Sequence, residues 1–272
     1  MRSQEQAFTA LTTGSGALGA RGIITNGANA QFAYVARASA TGATIVKFGS
    51  VTPKNSQNNE PVVQAHIAVL DQENGNLKYL IEGEQITIAR TTAASMVAAK
   101  FLANPPKKIL IIGNGLQGKA HLRASELLFP TSEKKMFDRR QPEDISTSDL
   151  IFLCTNSLEP VVDQEIALGA TLISIGSFAP GRSEVGIKVF ESVDKIFGDD
   201  ANTCIQQCGS LINALSAGIV KVEDITSIGN VITRQNVGRS NATERILYFS
   251  VGLGIQDAAF IEMLERNESN HG

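Results

Sequence analysis

Cysteine, histidine and a surplus of either charge are all scarce in this chain. Three Cys in 272 residues is an odd, low number. It excludes a disulfide framework and points to a reducing compartment, so a cytoplasmic location is expected. Cys204 and Cys208 lie four apart, but no further Cys or His is near enough in sequence to complete the ligand set of a structural zinc, so no metal is expected. The formal net charge of −3 gives no electrostatic reason to bind nucleic acid or an anionic membrane. No apolar run approaches the ~20 residues that span a bilayer. Met1-Arg2-Ser3-Gln4-Glu5-Gln6 has an early acid and no apolar core, unlike a signal peptide. Internal repeats and low-complexity tracts are lacking too. What is present, 43% hydrophobic and 19% charged residues, is the composition of an ordinary globular protein with room for one large domain or two modest ones.

Residues 1–30 are rich in Gly, Ala and Thr and weakly patterned. From 31 to 88 the chain reads as strands, with candidates at 43–51 and 61–70. A Glu73-Asn74-Gly75-Asn76 turn and a returning strand at 78–82 complete a hairpin signal. Residues 89–103 carry Ala, Met, Val, Phe and Leu on successive turns and few breakers, a predicted helix that Pro105-Pro106 stops. Beyond it the pattern alternates between helical or loop segments and short apolar runs at 108–112, 150–155, 171–175, 195–197 and 246–249. Such runs predict a parallel sheet buried on both faces. An amphipathic segment at 254–266 is expected to fold back on the first part of the chain. The predicted fold is therefore α/β: a Rossmann-type parallel sheet in 105–252, and a smaller α+β domain from 1–104 and 253–272.

The strand at 108–112 runs directly into Gly113-Asn114-Gly115-Leu116-Gln117-Gly118, and a helical segment follows. A Gly-x-Gly-x-x-Gly run alone is weak evidence; a strand before it and a helix after it are the confirming context. In such a loop Gly113 permits the tight turn, Gly115 lets the backbone approach a pyrophosphate, and Gly118 allows close helix–strand packing. Leu116 and Gln117 complete the candidate cofactor loop. The next strand should end in an acid for the adenosine ribose, and Asp138 is the candidate. Asp138 favours NAD; Arg139 and Arg140 would instead receive the extra phosphate of NADP, and the sequence leaves that choice open. Thr155 and Asn156 end a parallel strand, where ligands collect in open α/β sheets. They, with Ser250 and Gly252, are candidates for the nicotinamide pocket.

Five blocks, taken in order, carry a resemblance. They are Lys47-Phe48-Gly49-Ser50-Val51-Thr52-Pro53-Lys54-Asn55, Ile88-Ala89-Arg90-Thr91-Thr92-Ala93-Ala94-Ser95, Gly113-Asn114-Gly115-Leu116-Gln117-Gly118-Lys119-Ala120-His121-Leu122, Thr155-Asn156-Ser157-Leu158-Glu159-Pro160-Val161 and Tyr248-Phe249-Ser250-Val251-Gly252-Leu253-Gly254-Ile255-Gln256-Asp257. Together they resemble the ornithine cyclodeaminase/mu-crystallin family over most of the chain. Pro61-Val62-Val63-Gln64-Ala65 and the Lys119-Ala120-His121 stretch look most like its ketimine-reductase branch. The resemblance implies a homodimer, a nicotinamide cofactor, and reduction of a cyclic ketimine carboxylate such as 1-pyrroline-2-carboxylate to L-proline. An amino-acid dehydrogenase of alanine or opine type, and a mu-crystallin-like ligand-binding protein, are the alternatives.

The resemblance also orders the site candidates. Lys47 sits in the apolar strand Ile45-Val46-Lys47-Phe48, where an unpaired ammonium is costly. Its implied role is to bind the substrate carboxylate and deliver a proton near the imine. Arg90, read as opening its helix, has a guanidinium fork suited to a carboxylate. Arg21 is a second carboxylate candidate, and Gln64 is expected to face the same pocket. His121 reads as a packed helix residue rather than an acid–base group, and His66 as an ordinary sheet residue.

Two departures from the family matter. Only ten residues separate Asp138 from Asp149, so one edge of the Rossmann sheet is expected to be missing. In Gly176-Ser177-Phe178-Ala179-Pro180, Phe178 stands where true ornithine cyclodeaminases place a catalytic Asp, and a phenyl ring neither activates water nor accepts a proton. The purified protein incubated with ornithine and NAD+ is therefore expected to release neither proline nor ammonia; amino-acid analysis that finds both contradicts this reading of Phe178.

Overall fold

In the computed structural model, residues 1–27, 29–58, 60–138 and 142–269 are described. The chain opens with helix α1 (Arg2–Thr13), which buries Ala7, Phe8 and Ala10. Strands β1 (Ala17–Leu18), β2 (Gly22–Asn26), β3 (Asn29–Arg37), β4 (Thr44–Val51), β5 (Val63–Leu70) and β6 (Leu77–Glu82) form one antiparallel sheet in the order β1-β3-β4-β5-β6, with β2 also paired to β3. Residues 1–30 are thus a helix and strands, where the sequence showed little pattern. The reason is low contrast: α1 also buries Ser3 and Gln4, and every residue of β2 is exposed, so neither element alternates. The 71–76 turn follows its signal. Asp71 Oδ1 accepts the N–H groups of Glu73 and Asn74, and Gly75 takes the left-handed φ of +74°.

Helix α2 (Glu84–Leu102) begins five residues before the predicted 89. Ile86 and Thr87, β-branched residues, disguise its first turn. Then come β7 (Lys108–Ile112), α3 (Leu116–Leu128), β8 (Glu133–Phe137), α4 (Pro142–Ile145), β9 (Leu150–Leu153), β10 (Thr171–Ser174), α5 (Ile187–Phe190), β11 (Lys195–Gly198), α6 (Ala201–Gln207), α7 (Gly209–Ser216), β12 (Ile225–Ser227), α8 (Ile228–Ile232), β13 (Ile246–Phe249) and α9 (Gly254–Ser269). Two compact units result, Thr91–Gly252 with Met1, and Arg2–Arg90 with Leu253–Gly272. The division falls inside α2, ahead of the boundary expected at 104–107.

The larger unit is a seven-stranded, wholly parallel sheet in the order β12-β11-β13-β10-β9-β7-β8. Every residue of β9, β10 and β13 is buried, as expected for strands covered on both faces. The expected shortening is present: β8 is the edge strand, and the chain returns from it through one turn of α4 to β9 on the other side of β7. That reversal makes the β7/β9 crevice a topological switch point, where ligands of open α/β sheets bind.

In the smaller unit α1 and α9 pack together, and α9 lies on β3 and β4. The covered face carries Tyr34, Ala36, Ile45, Lys47, Ile67 and Val69, all buried. The cross-strand neighbours Val35, Val46, Ala68 and Leu80 form a row on the opposite face, where Val35 is 47% and Leu80 55% exposed.

Candidate active site

Lys47 and its surroundings are a charged island in the core of the smaller unit. Direct pairing of Tyr34 with Lys47 and of Lys47 with Ile67 puts these three side chains on the helix-covered face of the sheet. There the Lys47 ammonium, 2% exposed, donates to Asp257 Oδ1 at 2.8 Å and to Thr87 Oγ1 at 2.6 Å. Tyr34 donates its hydroxyl to the other Asp257 oxygen at 3.0 Å. Arg90 Nη1 donates to Gln256 Oε1 at 2.7 Å, and its Nε lies 3.5 Å from Asp257 Oδ1. Arg21 stacks its guanidinium over the Tyr34 ring, 5.4 Å from the centroid.

Three of the four candidates for substrate binding, Lys47, Arg90 and Arg21, therefore gather round Tyr34 and Asp257. Gln64 does not join them. It pairs with Ser50, an odd number of residues from Lys47, so it lies on the opposite face and is exposed. Arg90 does not open its helix either; with α2 starting at Glu84 it sits in the second turn, and it is buried. There its partners are Gln256 and Asp257.

Burial sets the electrostatics. Removal from water lowers the Lys47 ammonium to about 8, aided by the positive Arg90 and Arg21 and opposed by Asp257. For Asp257 burial alone would raise the carboxyl, but Arg90 and Lys47 together hold it below the ordinary value. Among the described residues, the buried part of the cluster thus sets two cations, Lys47 and Arg90, against the one carboxylate of Asp257, an excess of positive charge suited to a further anion. Asp257 and its neighbour Gln256 end the last of the five sequence blocks, but the sequence assigned Asp257 no role. A Gln-Asp pair in an otherwise apolar stretch, Leu253 to Ala259, was the available signal.

The second cluster of candidates lies at the carboxyl ends of the parallel strands in the larger unit. Gly113 follows β7 with φ +112°, and a Cβ there would stand 2.4 Å from Cys154 O. A Cβ on Gly118 would stand 1.7 Å from Gly113 O. Gly115 differs: a Cβ there meets nothing within 4 Å, and as the N-cap of α3 it supplies no capping side chain. Gly113 and Gly118 thus close the turn, while Gly115 leaves open space over uncapped helix N–H groups, a cradle that fits a phosphate. Leu116 and Gln117 begin the helix, Leu116 exposed. Asp138, also exposed, directly follows β8, whose last residue accepts the Gly113 N–H. Arg139 and Arg140 lie outside the described residues.

His121 is packed, as its helix position implied. Its ring lies 5.1 Å from Phe152, Nδ1 is 2.8 Å from Gln117 O, and burial pushes it down to about 4, so it is neutral. Phe178 lies under the Arg182 guanidinium at 4.9 Å.

Two buried acids absent from the sequence reading organise the rest of this edge. Glu184 accepts from Thr155 N and Oγ1 on one oxygen and from Ser174 Oγ and Gly176 N on the other, all at 2.7 Å. Burial raises its carboxyl to about 7 even against these donors. Asp199 accepts from Gly252 N at 2.8 Å and Ser250 Oγ at 3.3 Å. Thr155, Ser250 and Gly252 are thereby fixed along one sheet edge, with Asn156 exposed beside them. No group of three or more His, Cys, Asp or Glu able to hold a metal occurs among the described residues, and no helix of theirs is long and apolar enough to cross a membrane.

A Rossmann-type sheet with a phosphate-sized glycine cradle, in one chain with an α+β unit that buries a cationic cluster, defines the class. The ornithine cyclodeaminase/mu-crystallin family model matches residues 26–144 and 141–271, and the chain belongs to that family. Delta(1)-pyrroline-2-carboxylate reductase of Bacillus cereus is 26% identical over 253 residues, covering 84% of this chain and 78% of that protein. Alanine dehydrogenase of Archaeoglobus fulgidus is 29% identical over 246 residues, 82% and 76% of the two chains. Among solved structures, Thermococcus litoralis Delta(1)-pyrroline-2-carboxylate reductase in complex with NADH and L-proline superposes with a TM-score of 0.88 at 27% identity, covering 98% of this chain and 93% of that one.

The glycine geometry makes a stability prediction. Gly118→Ala drives a Cβ into a backbone carbonyl and is expected to lower Tm by about 10 °C, whereas Gly115→Ala should stay within about 2 °C of wild type. Thermal melts of the two variants check this; equal shifts would contradict the assignment of roles within the loop.

Proposed function

We propose that the protein is an oxidoreductase that reduces a cyclic ketimine carboxylate, with 1-pyrroline-2-carboxylate to L-proline as the leading reaction. The observation that carries this reading is a surplus of buried positive charge: two buried cations, Lys47 and Arg90, face the one buried carboxylate Asp257, with Arg21 stacked on Tyr34 beside them. Such a cluster binds a substrate carboxylate through charge-assisted hydrogen bonds. The glycine cradle and Asp138 supply the second half of the reading, a dinucleotide site, and the relatives named above support both halves. When bound, NADH or NADPH supplies the hydride for the imine carbon.

The chain's own residues then have separable tasks. Arg90 and Arg21 hold the carboxylate. Two N–H groups of Lys47 are committed to Asp257 and Thr87, and among the described residues the third has no protein acceptor. Lys47 thus offers a proton to the imine nitrogen, and a value near 8 suits a general acid at neutral pH. Asp257 keeps Lys47 in place through the catalytic cycle. The smaller unit serves the substrate and the larger one the cofactor. The exposed apolar row Val35, Val46, Ala68 and Leu80 supports a homodimer through that sheet face.

A panel of substrates with both cofactors tests the reading. Rapid oxidation of NADH or NADPH with 1-pyrroline-2-carboxylate is expected, and slower oxidation with pyruvate plus ammonium. The reverse order would assign the alanine-dehydrogenase alternative, and no oxidation together with tight ligand binding the mu-crystallin-like one.

Two variants sharpen it. Lys47→Ala should lower kcat by about 10²–10⁴-fold and raise KM for the imine. In the wild type, kcat/KM should fall as pH rises past about 8, where the ammonium loses the proton it must donate. A kcat within about threefold of wild type removes Lys47 from the catalytic residues. Gly115→Val should abolish NADH fluorescence enhancement while leaving the fold intact, because its branched side chain fills the cradle. Normal NADH binding by that variant would refute the dinucleotide site.

A further inference from the structure

Glu184 lies in the core of the larger unit, far in sequence from the glycine loop, and nothing in the reaction proposed above uses it. Its carboxylate nevertheless links two strand ends. One oxygen takes both the N–H and the hydroxyl of Thr155, just past β9; the other takes the Ser174 hydroxyl, at the end of β10, and the Gly176 N–H. Its own N–H is fixed in turn by Ser177 Oγ and Ser210 Oγ, at 3.0 and 3.1 Å. The loops it joins approach too closely for a side chain at Gly176, where a Cβ would stand 2.2 Å from Thr155 O. From Thr155 the connection continues through Cys154, whose N–H bonds to Ile112 O and whose carbonyl packs on Gly113. Acid, strand end and glycine loop form one continuous path.

We propose that Glu184 is a positioning residue for cofactor binding: by clasping the carboxyl ends of β9 and β10 it fixes the Thr155 backbone beside the glycine loop. The inference rests on the dinucleotide reading of that loop. In its ionised form the Glu184 carboxylate only accepts hydrogen bonds, and in that form it satisfies all four donors at once. An amide of the same shape does not. Whichever way a glutamine side chain turned at this position, its NH2 would face a backbone N–H, that of Thr155 or that of Gly176, and leave it buried and unpaired. Glu184→Gln is therefore a small change in volume with a large change in the clasp.

The test is NADH titration by fluorescence, steady-state kinetics on 1-pyrroline-2-carboxylate, and thermal melts of wild type, Glu184→Gln and Ser174→Ala. For Glu184→Gln the Kd and KM for NADH should rise about tenfold or more per folded molecule, while KM for the imine stays within about twofold, since its carboxylate is held by Arg90 and Arg21. Ser174→Ala removes one donor of four from a small buried site, and should raise the NADH Kd by about three- to tenfold. A merely structural Glu184 predicts a lowered Tm and a smaller active fraction, with the NADH Kd of the folded molecules unchanged. An NADH Kd within about twofold of wild type in Ser174→Ala, whether or not Glu184→Gln folds, overturns the inference. If wild type itself binds no NADH or NADPH, the dinucleotide reading falls and takes the inference with it; if wild type binds and the variants bind equally well, only the inference falls.

Discussion

The contact between the Lys47 ammonium and the Asp257 carboxylate, in a site with almost no access to water, constrains everything around it. A buried charge without a partner is strongly destabilising, and removing one member of such a pair typically costs about 3–5 kcal/mol. The smaller unit meets that constraint by drawing in a tyrosine hydroxyl from the sheet face covered by α9, and a threonine hydroxyl and an arginine from α2. The arrangement is charge-rich beyond what the pair needs. A core built only for stability would bury apolar side chains here; this one buries a second cation, Arg90, beside the same carboxylate, as the proposed receptor for a substrate carboxylate requires.

The larger unit uses buried acids differently. Glu184 and Asp199 are held by backbone and hydroxyl donors from loops that follow adjacent strands. Their burial raises both carboxyls. Each ties together two strand ends on the edge where a ligand of an open α/β sheet binds. Rigid loops there hold a ligand at lower entropic cost than loops that must order on binding.

How much of this is visible in the sequence depends on how local each cause is. The glycine loop is legible because turn, approach and packing are all decided within six residues, and the strand and helix beside it are continuous patterns. Five of the seven parallel strands, β7, β9, β10, β11 and β13, are legible as apolar runs, and the lost sheet edge as a short spacing between Asp138 and Asp149; β8, with its charged residues, and the three-residue β12 show no such run. Lys47 stands out as a charge in an apolar strand. Its partner does not: Asp257 lies 210 residues away, and only folding brings them together. Glu184 is hidden for the same reason, its donors being spread over separate strand ends and loops. Gln64 failed because its placement turned on strand parity, which a register of one residue decides. Residues 1–30 failed because α1 buries Ser3, Gln4 and alanines beside its one large apolar residue, Phe8, and β2 buries nothing, so neither shows the contrast that periodicity needs.

The central claim is that the Lys47, Arg90 and Arg21 cluster is a carboxylate receptor, and the most direct measurement is a thermal shift with matched ligands at saturating NADH. L-proline and L-prolinamide share the ring and the nitrogen and differ in the carboxylate alone. The account predicts that L-proline raises Tm in a saturable way and that L-prolinamide does not. Equal shifts from the two, or none from L-proline, would contradict it.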